Sequence, residues 1–274
     1  MTRRVACVFA HPDDDTYGVA GSLALRAGPD LEVTVIMTTS GEAGMIADAS
    51  LATRENLGAV REEEDRASWA ALGLEPAIHF LRHPDGGVAD VPVDELVERY
   101  VAILREARPD VVITFGPDGV TGHTDHVAVG AAATTAFHAA RAARAARAAG
   151  SDGFHRLLFV SIPQSSMDRF NELLRGRGMD PIDPTQEFQP RGVPDDAIGV
   201  IVDCSSVYER KLEALRRHRT QAELEDVPFE MWREVLAREA FVLEFPVRAP
   251  DAPVLRDLFE GLPGSEPIRT ARGR

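Results

Sequence analysis

The chain has 274 residues, 44% of them hydrophobic, and its 30 Lys and Arg against 44 Asp and Glu leave a formal net charge of −14. That balance opposes binding to nucleic-acid backbones and to anionic lipid surfaces. The length suits one sizeable core, so a single domain over residues 1–274 with an appended C-terminal part is expected. The apolar run Val5 to Ala10 is too short for a signal-peptide core, and no segment approaches the roughly 18 apolar residues of a membrane span, which points to a cytoplasmic protein. Cys7 and Cys204 lie in strand-like runs without metal-ligand spacing and read as small core residues.

Strand-like runs recur at 5–9, 32–39, 77–81, 110–115, 157–162 and 199–204. Helical patterns lie between most of them, at about 18–27, 51–72, 93–107 and 127–149. This alternation predicts an α/β fold, a Rossmann-like, mostly parallel sheet with helices on both faces. Arg141, Arg144 and Arg147 recur at spacing three and read as a solvated helix face. Residues 163–194 break the periodicity and read as a long excursion beside a substrate site. From 246 to 274 the prolines suggest a surface wrap and tail.

In such sheets, ligands sit beyond the C-terminal ends of the strands, where "HPDDD" (11–15), "TSGEAG" and "GPDGVTGHTDH" all fall. Asp13, Asp14 and Asp15 repel one another unless a cation, a helix N-terminus or water receives them. "HTDH" puts His123 and His126 on one face at the start of a helix. Together with "HPDD" it makes a candidate His, Asp, His metal site of a type that suits zinc and leaves one position for water.

The ordered set "AHPDDD", "TTSGEAG", "VREEEDRASWAALG", "RHPDGG", "RPDVVITFGPDGVTGHTDH" and "KLEALRRHRTQ" resembles the LmbE-like or PIG-L-type zinc-dependent N-deacetylases, which remove acetyl groups from N-acetylglucosamine units. The resemblance implies one zinc ion, with ferrous iron as an alternative, held by His11, Asp14 and His126. It implies Asp13 as general base, His123 as the donor to the oxyanion, in protonated form, and Asp125 as its orienting acid. Arg61 and Asp85 match positions that hold the sugar, against the plainer readings of a charged helix face and a turn. The need for a metal is energetic: bulk water has a pKa of about 15.7 and zinc-bound water about 7, a gap of roughly 12 kcal/mol that no carboxylate could bridge alone.

Three positions depart from the family pattern. Asp15 stands where the family has Glu, Thr124 where it has Pro, with helix capping as its alternative use, and Thr121 where many relatives have Tyr. The implied partner is a glucosamine-type small molecule, with no nucleic acid or membrane and with self-association into a homo-oligomer left open. A nucleotide-binding Rossmann domain is disfavoured because acids, not glycines, follow the first strand. A non-catalytic metal- or carbohydrate-binding module and an amidase for a glucosamine-containing thiol conjugate are the alternative functions.

Overall fold

The computed structural model of the protein describes residues 2–146, 153–221 and 229–265. β1 (Arg3–Phe9) buries every side chain from Val5 to Phe9, as a continuous apolar run does in a central strand covered on both faces. β2 (Leu31–Met37) and β4 (Val111–Phe115) flank it, both parallel to it. β3 (Ala77–Phe80) continues the sheet beyond β2 and β5 (Arg156–Pro163) beyond β4, again in parallel.

With β7 (Ile198–Asp203) and β8 (Arg238–Phe245) the order is β3-β2-β1-β4-β5-β8-β7, and the short β6 (Gly192–Val193) pairs with β5 off this path. The chain therefore winds outward from β1 to β3 and then crosses to the other side at β4. This reversal opens a crevice beyond the C-terminal ends of β1 and β4.

The sheet is mostly parallel, as the sequence leads one to expect, but β8 was not anticipated. It runs antiparallel to both β5 and β7. Its alternation is masked by Glu239, which is buried. That carboxylate receives Lys211 Nζ at 2.6 Å and the backbone N–H groups of Gly21 and Ser22 at 2.7 Å each. The pair joins β8 to α2 (Ala20–Ala24) and α7 (Tyr208–Leu215). A buried ion pair satisfied in this way costs about 3–5 kcal/mol when one partner is removed.

The helices differ from expectation mainly at their ends. The first pattern splits into α1 (Asp14–Gly18) and α2, interrupted at Val19, so the acids open a helix rather than lying in extended chain. α3 (Leu57–Ala71) starts after the loop 51–56, and α4 (Val93–Ala107) matches its expected span. α5 (Thr124–Ala145) begins three residues early and takes in the whole of "TDH". Arg141 lies over the Phe245 ring at 4.2 Å, and Arg147 falls outside the described residues.

The segment 163–194 is not aperiodic throughout. It opens with α6 (Gln164–Gly176), whose Met167, Phe170 and Leu174 are buried at helical spacing, near α8 (Phe229–Leu236). Past β8, Leu258 and Phe259 are buried, and Leu255 bridges to Val200.

Behind α1 a polar network crosses the core. Thr16 Oγ1 lies 2.8 Å from Ser68 Oγ and 3.0 Å from His218 Nε2. His218 Nδ1 is buried without a hydrogen-bond partner. Burial, assisted by the Arg61 charge, pushes the His218 pKa down to about 3. The unfolded chain takes up this proton near pH 6.5 and the folded chain does not, so stability falls as pH drops from about 6.5 toward 3. The contribution lost between pH 6.5 and 4 is on the order of 3 kcal/mol. Thermal melts of His218→Gln at pH 7 and pH 4 should show a smaller pH-dependent drop than the parent, and an equal drop would mean that His218 is not held neutral.

Candidate metal centre

Three backbone segments deliver the site, and each does so for a local reason. The chain leaves β1 at Ala10 and turns into α1 with Asp13 as its N-cap residue, at φ 126°. That conformation is strained for any residue with a Cβ and persists only where the surroundings impose it. Asp14 and Asp15 then occupy the first helical turn, where negative charge is favoured. Beyond β4, His123 caps α5 with its own Nδ1, which accepts a hydrogen bond from Asp125 N at 3.1 Å. Thr124 is therefore the first helical residue and not the cap.

His11 Nδ1 and His126 Nε2 lie 3.1 Å apart. Asp14 Oδ2 is 3.5 Å from the first nitrogen, and Asp14 Oδ1 is 3.3 Å from the second. Two nitrogens and one carboxylate at these separations match three corners of a tetrahedron with bonds near 2.0–2.1 Å, whose edges are about 3.3 Å. His126 Nδ1 donates to Gly119 O at 2.9 Å, which leaves Nε2 with its lone pair facing the other two groups. His11 Nε2 faces away from the ligand atoms, 3.0 Å from Asp85 Oδ1 and 3.5 Å from Asp125 Oδ2. A carboxylate behind a ligating imidazole is how such rings are oriented. Burial disfavours the His11 imidazolium, but Asp125, Asp14 and Asp85 outweigh it and hold the His11 pKa well above its ordinary value. A cation is thus favoured at this place, and by its separations and donor types the set fits a divalent metal ion, which would take the place of the His11 Nδ1 proton.

His123 is a second possible third donor, since its ring nitrogen lies within 4.8 Å of those of His11 and His126. The shorter Asp14 separations and the capping use of His123 Nδ1 favour Asp14. Burial lowers the His123 pKa, and the neighbouring His11 and His126 lower it further, against the opposing charges of Asp125 and Asp14. An imidazolium here is therefore not what the structure supports. With Nδ1 accepting from the Asp125 backbone, the other nitrogen is the one that carries a proton. Nor does the Asp125 carboxylate orient His123: it accepts from Gly86 N at 2.7 Å and Val88 N at 3.1 Å, on the turn that carries Asp85.

Arg61 and Asp85, expected at the rim, are engaged by neighbours within the site. Arg61 is 4% exposed, so it lies on no solvated face. It donates to Asp13 Oδ2 and Pro12 O, both at 2.7 Å, and to Gly41 O at 2.9 Å. Asp85 Oδ2 accepts from Ala43 N at 2.8 Å while Oδ1 faces His11. Both residues thus serve the site's own side chains.

Asp15 keeps its contacts despite its shorter side chain, accepting from Trp69 Nε1 and Thr16 N at 2.7 Å each. Burial still pushes its pKa up to about 7. Thr121 Oγ1 lies 3.4 Å from His123 N.

Sequence reasoning missed Arg191 and Phe188. Phe188, in the loop after α6, sets its ring 4.9 Å from that of His123 and is 59% exposed. Arg191 N donates to Val120 O at 2.7 Å. Neither carried a motif signal beyond its place in the excursion. A groove of about 730 Å³ beside β3 and α4, lined by Phe80, Glu95 and Arg99 among others, contains none of these residues. Side-chain geometry, not concavity, identifies the centre.

The comparisons agree with this geometry. The PIG-L family, described as GlcNAc-PI de-N-acetylase, matches residues 6–137. A 1D-myo-inositol 2-acetamido-2-deoxy-alpha-D-glucopyranoside deacetylase of Geodermatophilus obscurus is 31% identical over 96% of this chain and 99% of its own. Among solved structures, an N,N'-diacetylchitobiose deacetylase from Pyrococcus horikoshii aligns over 88% of this chain and 83% of its own, with a TM-score of 0.57 and 22% identity. A 4-carboxy-2-hydroxymuconate hydratase from a pseudomonad aligns over 92% and 100%, with a TM-score of 0.60 and 18% identity, so this fold alone does not specify the reaction.

Single replacements His11→Ala, Asp14→Ala and His126→Ala should each abolish stoichiometric metal in the purified protein, as read by elemental analysis. Full occupancy in any one of them would remove that residue from the ligand set. With the site and the full-length relative together, the chain belongs to the PIG-L, or LmbE-like, family of N-deacetylases.

Proposed function

We propose that the protein is a zinc-dependent hydrolase that removes the acetyl group from an N-acetylglucosamine-containing small molecule. Its ion is held by His11, Asp14 and His126, and ferrous iron is the competing metal. The name of the Geodermatophilus relative suggests 1D-myo-inositol 2-acetamido-2-deoxy-α-D-glucopyranoside as the substrate. The observation that carries the reading is an acid set apart from the proposed ligands: Asp13 is ion-paired with Arg61 from a strained backbone, while its neighbour Asp14 faces the two imidazoles. A site that only stored a metal would gain nothing from that arrangement.

A divalent ion at the site supplies Lewis acidity, which polarises the acetamide carbonyl and makes water acidic enough to be deprotonated near neutral pH. Asp13 accepts the proton as water attacks the carbonyl carbon and later returns it to the leaving amine. Arg61 fixes the Asp13 carboxylate and offsets its charge in the interior. His123 donates its ring N–H to the carbonyl oxygen as negative charge develops there. Asp85 and Asp125 hold His11 from behind.

Acetate should be released from the inositol-linked substrate by the purified protein, lost on chelation and restored by Zn²⁺. Absence of release with loaded protein would overturn the reading. Asp13→Asn should keep its metal and lose most turnover, whereas loss of metal along with activity would make Asp13 a ligand. His123→Ala should keep its metal and lose about 10²–10³ in kcat. Because the His123 pKa is already lowered, and a bound cation would lower it further, the alkaline limb of the pH–rate profile should survive in this variant. Its disappearance would restore the imidazolium.

A further inference from the structure

Around the centre, nearly every cationic side chain is already committed. Arg61 is bound to Asp13, Arg82 pairs with Glu62 at 2.8 Å, and Arg54 donates to Glu42 O and Gly44 O. Arg191 differs. Among the described residues its guanidinium, with Nε buried, has neither a hydrogen-bond partner nor an ion pair, whereas Arg61, whose Nε is likewise buried without a partner, is held through both of its other nitrogens. Its place is well defined nonetheless. A Cβ at Gly122 would collide with the guanidinium, and Gly122, at φ +76°, immediately precedes His123. The backbone of Arg191 is tied to Val120, so the side chain is not needed to anchor the loop. Three residues earlier, Phe188 rests against the His123 ring from a backbone at φ +59°. An exposed aromatic face and an unpaired fork of donors thus border the oxyanion side of the centre.

We propose that Arg191, with Phe188, forms the subsite for the group attached to the glucosamine, the aglycone, and that this group is hydroxyl-rich. This rests on the deacetylase reading above. Half-buried donors left unpaired cost free energy until something satisfies them. A guanidinium presents two parallel N–H groups, which suit neighbouring hydroxyl oxygens of a polyol ring as they suit a carboxylate. The aromatic face beside it takes the apolar C–H face of such a ring. The usual anchoring candidates, Arg61 and Asp85, have most of their polar atoms, though not Arg61 Nε, engaged by Asp13, His11 and backbone groups. Arg191 is therefore a specificity-determining residue, acting on the part of the substrate that distinguishes one glucosaminide from another.

The test compares kcat/KM on 1D-myo-inositol 2-acetamido-2-deoxy-α-D-glucopyranoside with kcat/KM on N-acetylglucosamine, each measured on metal-loaded protein. In Arg191→Met the ratio of the two should fall by about 10-fold or more, the scale of one charged hydrogen bond. Arg191→Lys, which keeps the charge but not the fork, should recover only part of it. Phe188→Ala should lower the same ratio. Metal content and the thermal midpoint, matched to the parent, show that the variants fold. An unchanged ratio in Arg191→Met would overturn the proposal, whether both substrates are unaffected or both decline together, and so would a parent with no preference for the conjugate. A parent that deacetylates neither compound would instead overturn the deacetylase reading on which the proposal stands.

Discussion

Three consecutive carboxylates at the end of a buried strand cannot all be received by the same partner, and the molecule sends them three ways. Asp13 goes to Arg61, Asp14 to the backbone N–H of His11 and the two imidazoles, and Asp15 to Trp69 and Thr16. The divergence needs an abrupt change of direction between Asp13 and Asp14. The positive φ of Asp13 supplies that change at a cost of about 1–3 kcal/mol. The Arg61 ion pair is what makes the strained conformation worth keeping. An arginine whose guanidinium meets one carboxylate and two carbonyls holds the turn as a unit, and the turn in turn sets which acid faces the histidines.

The same accounting explains why the surrounding elements are so heavily committed. Burying Asp85 and Asp125 beside His11 concentrates negative charge where water is scarce. Coulomb repulsion between such groups is weakly screened in the interior, so each must find donors or a cation. Backbone N–H groups of Ala43, Gly86 and Val88 meet part of that need. Part of the remainder falls on His11, whose protonated form these carboxylates favour, and the proposed metal would meet the same need. Behind α1, Asp65 shows the opposite solution. Its carboxyl oxygens find no hydrogen-bond partner, and burial, with Asp15 and Asp13 nearby, holds its pKa well above the carboxylate range. Burial thus opposes its ionisation.

What could be read in advance was what local pattern controls. The central strands are apolar runs, α4 carries its apolar residues at helical spacing, and the polar motifs fall at strand ends because only there can they leave the core. Long-range partnerships were not legible. Arg61 meets Asp13 across 48 residues and His218 meets Thr16 across 202, and no spacing rule encodes such pairs. β8 escaped for a related reason, since Glu239 looks like a surface residue until Lys211 is seen beside it. In α6 the signal was present at Met167, Phe170 and Leu174 but was obscured by the prolines that follow.

These two kinds of legibility divide the molecule by task. The proposed metal donors and Asp13 come from the ends of β1 and β4, adjacent strands in the middle of a sheet, where a shift of one residue would displace a whole buried row. The flanking loop from 177 to 191 is joined to that floor mainly by the Arg191–Val120 hydrogen bond and by Phe188 against His123. The rest of that loop is anchored on α6, through Asn171 to Ile182 and the packing of Met179, so its side chains can change without disturbing the geometry beneath it. On the proposed roles, chemistry sits in the part of the fold that tolerates least variation, and choice of substrate in a loop outside the sheet. The sheet architecture itself is shared with a chitobiose deacetylase and a hydratase, so the fold leaves the reaction to the side chains placed on it.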